Sequence, residues 1–265
     1  MGENIIRPSN RADFTGVNLV SKEEGGTFLD ALCVLNRVKN EHLGELVQMQ
    51  VDSSFWDIYD GNMSTTAAGA HYYSAQNTIY IRIGILNDPI YTPDAPIEAK
   101  LGSFVAAIGH EISHAFDDTN INRDADGKYR NIVSAEELQM WSEVSDRIAS
   151  HFTIYEPFEG SGKYDGTNRI CGEVIADIEG VRACLMIAKD YEDFDYDLFF
   201  RSYSALWRNL NTKSSEMDAI RSDVHPLHYL RINYTLMQFD EFDETYGIGP
   251  GDGMYLAPDQ RVIIW

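Results

Sequence analysis

Apolar residues recur at near-helical spacing in several stretches of this chain and alternate along one short stretch. Residues 28–50 carry Phe28, Leu32, Leu35, Val38, Leu43 and Leu46 in a helical pattern. Residues 98–116 repeat it, with Leu101, Phe104, Val105, Ile108, Ile112, Ala115 and Phe116 on the predicted buried side. Ser134 with Glu137 forms a capping-box pattern that opens a helix to about Phe152. A further apolar helix is expected from Gly172 to about Lys189, through Ile175, Ile178, Val181, Ala183, Leu185 and Ile187. Another is expected from about Asp197 to Leu210. Between Ala70 and Leu86, Tyr72, Tyr73, Ile79, Tyr80, Ile81 and Ile83 alternate loosely around Gln76-Asn77, which predicts a hairpin.

The breaks between these stretches are equally legible. Residues 60–70 are rich in Gly, Ser, Thr and Ala and read as a loop. Pro89, Pro93 and Pro96 mark an extended connection. Gly160-Ser161-Gly162 and Asp165-Gly166 punctuate another loop, and Gly247, Gly249, Gly251 and Gly253 lie in a tail from Glu241 onward. Residues 1–25 read as a polar arm or linker, and residues 26–265 as one domain without repeats. The fold class is α+β, mainly α-helical with a small sheet.

Composition narrows the partners. The 265 residues hold 21 Lys and Arg against 42 Asp and Glu, a formal charge of −21. That balance opposes nucleic acid and anionic membrane, which need a basic surface. No apolar run approaches the length that spans a bilayer. Cys33, Cys171 and Cys184 are an odd set with no zinc-ribbon spacing, which favours a reducing compartment. The start lacks a signal peptide's apolar core. A cytoplasmic bacterial location is expected, with a segment trimmed from a secreted or membrane-anchored parent as the alternative.

The chemistry concentrates at residues 110–114, His-Glu-Ile-Ser-His. Two residues four apart share a helix face, so His110 and His114 can address one ion, and nitrogen ligands suit zinc. Glu111 can then reach a water on that ion and take its proton. Glu173, opening the apolar helix that begins at Gly172, is the best third ligand. Asp177, four residues on, can hold the distal nitrogen of a ligand histidine. The alternative for this carboxylate pair is a solvated helix face. Asp117 either orients His114 or is one of two solvated acids at a helix end. His225 and Arg231, six apart in Asp223-Val-His225-Pro through Arg231-Ile-Asn233, are candidates for donating to an oxyanion. His42, His71, His151 and His228 read as structural. Asn122-Arg-Asp124-Ala-Asp126-Gly127 resembles the front of a calcium loop, but Val133 stands where a bidentate Glu is required, so a turn without calcium is expected.

Taken in order, the motifs resemble the neprilysin family of zinc endopeptidases, M13. They are AHYYSAQNTIYIRIGIL (70–86), IGHEISHAFDD (108–118), the Asn-x-Asp-x-Asp-Gly turn, GEVIADIEG (172–180), DVHPLHYLRIN (223–233) and MYLAPDQRVIIW (254–265). The resemblance implies a zincin lobe of thermolysin-like type holding one Zn2+ on His110, His114 and Glu173. It implies Glu111 as base, Asp117 and Asp177 as orienting groups, His225 as oxyanion stabiliser and Arg231 as holder of a substrate carbonyl. Positions lining the family's pocket for the residue after the cleaved bond fall on Ile85, Ile90, Ala106, Ala107, Leu206 and Trp207. The small Ala106 and Ala107 would make that pocket roomy.

Several positions depart from the family pattern. Its Asn-Ala on the substrate-binding strand is Gly69-Ala70 here, so the amide that grips the peptide is absent. Gly-Glu-Asn is Gly172-Glu173-Val174, Ala-Asp-x-Gly-Gly is Ala176-Asp177-Ile178-Glu179-Gly180, and the bracing cysteines of the animal ectodomains are missing. The family's two-lobed shell is more than twice as long, so a separate N-terminal lobe is a possible partner. The expected activity is hydrolysis of oligopeptides on the amino side of hydrophobic residues. The alternative is a zinc-bearing peptide-binding module, or an impaired fragment without its capping lobe.

Overall fold

The computed structural model of the protein describes residues 19–46, 48, 67–164 and 168–264. The chain divides into two units, Met1–Thr65 and Thr66–Trp265. In the first, α1 spans Phe28–Leu46. Thr27 and Asp30 cap its start reciprocally: Asp30 Oδ2 accepts from Thr27 N at 2.8 Å, and Asp30 N donates to Thr27 Oγ1 at 3.2 Å. Residues 1–18, 60–66 and 165–167, which include parts of the expected arm and loops, lie outside the described residues, as does the end of the 28–50 stretch at 49 and 50.

The second unit holds every candidate site residue. Strands β1 (Ala70–Tyr73) and β2 (Thr78–Ile81) pair antiparallel, with Ala70 opposite Ile81 and Tyr73 opposite Thr78. Asn77 takes the turn with φ of 49°. The alternation predicted to Leu86 stops at Ile81, because Ile83–Ile85 winds into a 3-10 turn that buries Ile85.

One helical run follows, in changing pitch: α2 (Ile97–Lys100), a π turn (Leu101–Val105), α3 (Ala106–Ser113) and a 3-10 turn (His114–Phe116). It ends where Asp117 becomes extended at φ −72° and ψ 170°. Helix α4 (Ala135–Phe152) starts with the predicted Ser134–Glu137 capping box. Helix α5 (Cys171–Ala188) is buried on nearly every side, as an all-round apolar helix must be, and packs on α3, α4 and α8 (His228–Leu236). Around it lies a core that includes Ile148, Phe152, Tyr164, Phe199 and Tyr203.

Helix α6 (Tyr196–Leu206) ends four residues before the expected Leu210. Trp207 leaves helical geometry at φ −98° and ψ 7°. Helices α7 (Lys213–Ser222), α8 and α9 (Asp240–Tyr246) were not marked by the apolar pattern, and α9 occupies the start of the expected irregular tail. The rest of the tail is tied to the helices. Buried Arg261 pairs with Asp240 at 2.5 Å and Asp243 at 2.6 Å, and Gln238 Oε1 accepts from Val262 N at 2.8 Å.

Two glycines set the distance between α3 and α5. A Cβ on Gly109 would lie 2.9 Å from Gly180 Cα, and one on Gly180 would lie 2.7 Å from His110 N. The helices therefore meet backbone to backbone. This crossing brings the first turns of α5 level with the two histidines of the α3 run.

Candidate active site

His110 leaves α3 toward α5, and His114 follows one turn later from the 3-10 end of the run. His110 Nδ1 donates to Asp177 Oδ1 at 2.9 Å, and His114 Nδ1 donates to Asp117 Oδ2 at 2.9 Å. Both acceptors are carboxylates, so each ring carries its proton on Nδ1. The two Nε2 atoms then face each other 3.1 Å apart. Two bare lone pairs at that distance repel unless a cation lies against both. Glu173 completes the cluster, with Oε2 3.2 Å from His110 Nε2 and Oε1 3.6 Å from His114 Nε2. Its Oε2 is buried and accepts no hydrogen bond in good geometry. His110, His114 and Glu173 each aim one ligand atom into a group within 4.8 Å, the only such metal-ligand group among the described residues.

The outer groups are ordered by ionic contacts. Arg231, 3% exposed on α8, grips Asp177 with Nε to Oδ2 at 2.6 Å and Nη2 to Oδ1 at 2.8 Å. Its guanidinium lies 3.6 Å from the centroid of the Trp207 ring. Burial pushes the Asp177 carboxyl up, but Arg231 and His110 outweigh it and hold it down at about 2. Burial opposes charge on His110, yet Asp177 and Glu173 raise it to about 9. Without a metal, the cluster therefore favours a proton at the place a metal would take. Asp117 earns its position from the helix end: its Oδ1 accepts from Thr119 N at 3.0 Å and Asn120 N at 2.8 Å, leaving Oδ2 for His114.

Glu111 and His225 stand on the walls of a cleft of about 700 Å³ that also holds Ala70, His71, Asp118 and Arg169. His225 is exposed; its Nδ1 meets Asp223 Oδ1 at 2.8 Å and its Nε2 lies 3.2 Å from Glu173 Oε2. Gly69, just before β1, has φ of +136°. The structure thus brings together His110, Glu111, His114, Asp117, Glu173, Asp177, His225 and Arg231. The six apolar pocket positions are distributed differently. Ala106 packs into the core, Ile85 and Ala107 are buried, Leu206 ends α6, and Trp207 underlies Arg231. Ile90 lines a separate cavity of about 670 Å³ with Ser103 and Ala205.

Three residues near the site were not singled out by sequence. His71, read as structural, lines the cleft and stacks on Tyr80 at 5.4 Å. Asp223 braces His225, a link that an Asp two residues before a His could have signalled. Arg169 donates to the carbonyls of Asp223, Arg221 and Ile220 at 2.9, 2.8 and 2.6 Å, which anchors the segment leading to His225. These acceptors are backbone oxygens more than fifty positions away, so no local pattern announces the contact. At the suspected calcium-loop front, Asp124 Oδ1 accepts from Asp126 N and Lys128 N at 3.0 Å each, and Arg130 takes its other oxygen, so the segment folds as a turn.

Fold and site define a mainly helical lobe of the HExxH class, with crossed helices presenting two histidines and a glutamate to one point. Residues 69–262 match peptidase family M13, and the chain belongs to that family. It is 30% identical to the neutral endopeptidase of Lactococcus lactis subsp. lactis (strain IL1403) over 243 residues, covering 91% of this chain and 37% of that protein. It is 24% identical to endothelin-converting enzyme 1 of Homo sapiens over 221 residues, covering 77% and 28%. The crystal structure of PepO from Lactobacillus rhamnosis superposes with a TM-score of 0.71 at 28% identity, covering 80% of this chain and 32% of that one. The chain therefore spans little more than a third of the bacterial relatives, 37% and 34% of two of them.

Proposed function

We propose that this chain is the catalytic lobe of a zinc-dependent endopeptidase, with His110, His114 and Glu173 holding the metal. The facing Nε2 atoms, each ring fixed from behind by a carboxylate, carry the reading. Two nitrogens and one carboxylate with an open side fit catalytic zinc. Bound there, zinc would supply Lewis acidity toward a peptide carbonyl and lower the pKa of a water. Glu111, next to His110 in the cleft wall, is placed to take a proton from a water in the cleft and to pass it to the departing amine nitrogen. Asp177 and Asp117 keep the histidine rings turned and their Nδ1 atoms protonated. His225 donates from Nε2 to the carbonyl oxygen as charge builds there, its ring steadied by Asp223. Arg231 Nη1, the nitrogen that Asp177 leaves free, is the second donor.

Strand β1 pairs with β2 on one side among the described residues. Its other edge can take a peptide as an added strand. Ala107, Leu206 and Trp207 favour an apolar side chain after the cleaved bond. The decisive experiment measures zinc content and cleavage of a quenched peptide on wild type and Glu111→Gln. Retained zinc with hydrolysis lowered by at least about a thousandfold is expected if the group moves the proton; undiminished hydrolysis in the variant refutes the role.

A second reading, a zinc-bearing peptide-binding module, is favoured by Gly69, which offers no side chain at the entry to β1. Stoichiometric zinc and peptide binding with no cleavage by wild type would select it.

A further inference from the structure

We infer that Arg169 makes the cleft selective for peptides carrying an acidic side chain on the amino side of the scissile bond. The inference rests on the peptidase reading and names its substrate class. Arg169 is the sole Lys or Arg among the residues lining the cleft, in a chain of net charge −21. Its three guanidinium nitrogens donate to neutral backbone carbonyls, and among the described residues it has no carboxylate partner. Asp223 gives it a carbonyl but turns its carboxylate to His225. No carboxylate pairs directly with the guanidinium, and Nη1 and Nη2 each keep one N–H beyond the bond they make. Because three carbonyls already fix the side chain, a substrate carboxylate would meet a preorganised fork with little ordering left to pay.

The position follows from the run of α3. Ala107, beside which the residue after the cleaved bond is proposed to sit, lies near the start of that helix. Arg169 lies two residues before Cys171 of α5 and shares the cleft with Asp117, Asp118 and Asn120, beyond the opposite end of α3. The peptide segment reaching this end precedes the cleaved bond. Glu111, Asp117, Asp118 and Glu173 line the same cleft and are the opposing influence, which would favour a basic residue there.

The test uses zinc-loaded full chain and quenched peptides that differ only in one residue before the scissile bond: Glu, Gln, Ala or Lys. A Glu-to-Gln ratio in kcat/KM of roughly tenfold is expected for a charge-assisted contact, largely kept in Arg169→Lys and near one in Arg169→Gln. Each ratio is internal to one variant, so a shift of His225 caused by losing the carbonyl contacts divides out. Binding of the same labelled peptides to zinc-loaded Glu111→Gln reads the preference without turnover. Cleavage without a Glu-to-Gln preference, a preference for Lys, or a ratio unchanged in Arg169→Gln overturns the inference while leaving the peptidase reading standing. A Glu-to-Gln preference in binding, lost in Arg169→Gln on that background and seen without wild-type cleavage, supports the site and overturns the peptidase reading instead.

Discussion

Gly109 and Gly180 touch across the α3–α5 crossing, and neither has room for a methyl group. A Cβ at Gly180 would sit 2.7 Å from His110 N and 2.8 Å from Ala106 O, both main-chain atoms that no rotamer change can move. Gly180→Ala should therefore push α3 away from α5, at about 1–3 kcal/mol by analogy with overpacked cores. The same displacement separates His110 from Glu173, so zinc affinity should fall with stability. Urea denaturation and a chelator competition check both. A variant with normal stability and normal affinity would show that the crossing is softer than its contacts indicate.

Asp177 joins the histidine to the arginine, so its loss has two separable consequences. Asp177→Asn keeps the shape but removes the charge facing Arg231, which is 3% exposed. Breaking such a buried pair costs about 3–5 kcal/mol. His110 also keeps only a neutral amide oxygen in place of the carboxylate that fixes its Nδ1 proton, and zinc affinity should drop roughly 10–100-fold. Denaturation of the metal-free protein isolates the first effect, and zinc titration the second. Unchanged affinity would mean that His110 is oriented by packing alone.

How much of this was legible in sequence follows from which forces fix each part. The His110–His114 spacing and the all-apolar α5 are local patterns, and both helices that carry the His110, His114 and Glu173 cluster were found from them. Ser134 and Glu137 announced α4 for the same reason. Helix α7 escaped because it buries only Ile220 and has no apolar stripe. Helix α8 escaped because its buried set includes Arg231 and Thr235, which periodicity counts as solvent-facing. Arg231 could be named as a candidate from its neighbourhood, but its grip on Asp177 spans fifty-four positions and exists only after folding. Asp117 was assigned by helical spacing; the structure reaches the same contact by ending the helix and turning the backbone.

His151 offers a pH test away from the site. It lies on α4, 4.3 Å from the Tyr234 ring, with Nε2 3.0 Å from Tyr155 Oη. Burial lowers its pKa to about 4, against about 6.5 in an unfolded chain. Between those values the unfolded chain binds the extra proton, so its contribution to stability is full above pH 6.5 and is lost as pH falls toward 4. After discounting for partial exposure, about 1–2 kcal/mol should be involved. His151→Phe removes the titration. The stability difference between wild type and variant, measured by denaturant unfolding from pH 7 to 4, should drift against wild type on acidification. A difference independent of pH would show that His151 titrates normally.

Zinc should stabilise the second unit, because the folded cluster gathers ligands from positions 110, 114 and 173 that an unfolded chain holds apart. A metal that binds only the folded state adds RT ln(1 + [L]/Kd), about 2.7 kcal/mol at a hundredfold excess over Kd. For a unit of this size each kcal/mol is worth about 2–4 °C, so melting should rise by about 5–10 °C on adding zinc to chelated protein. Metal entry also displaces the proton that His110 holds between the two facing Nε2 atoms in the metal-free protein. His114→Ala leaves His110 and Glu173 in place but removes one donor, and it should lose most of the melting shift. Calorimetric titration should give one site in wild type. An equal shift in His114→Ala would place the stabilising zinc elsewhere and remove the physical basis for this metal centre.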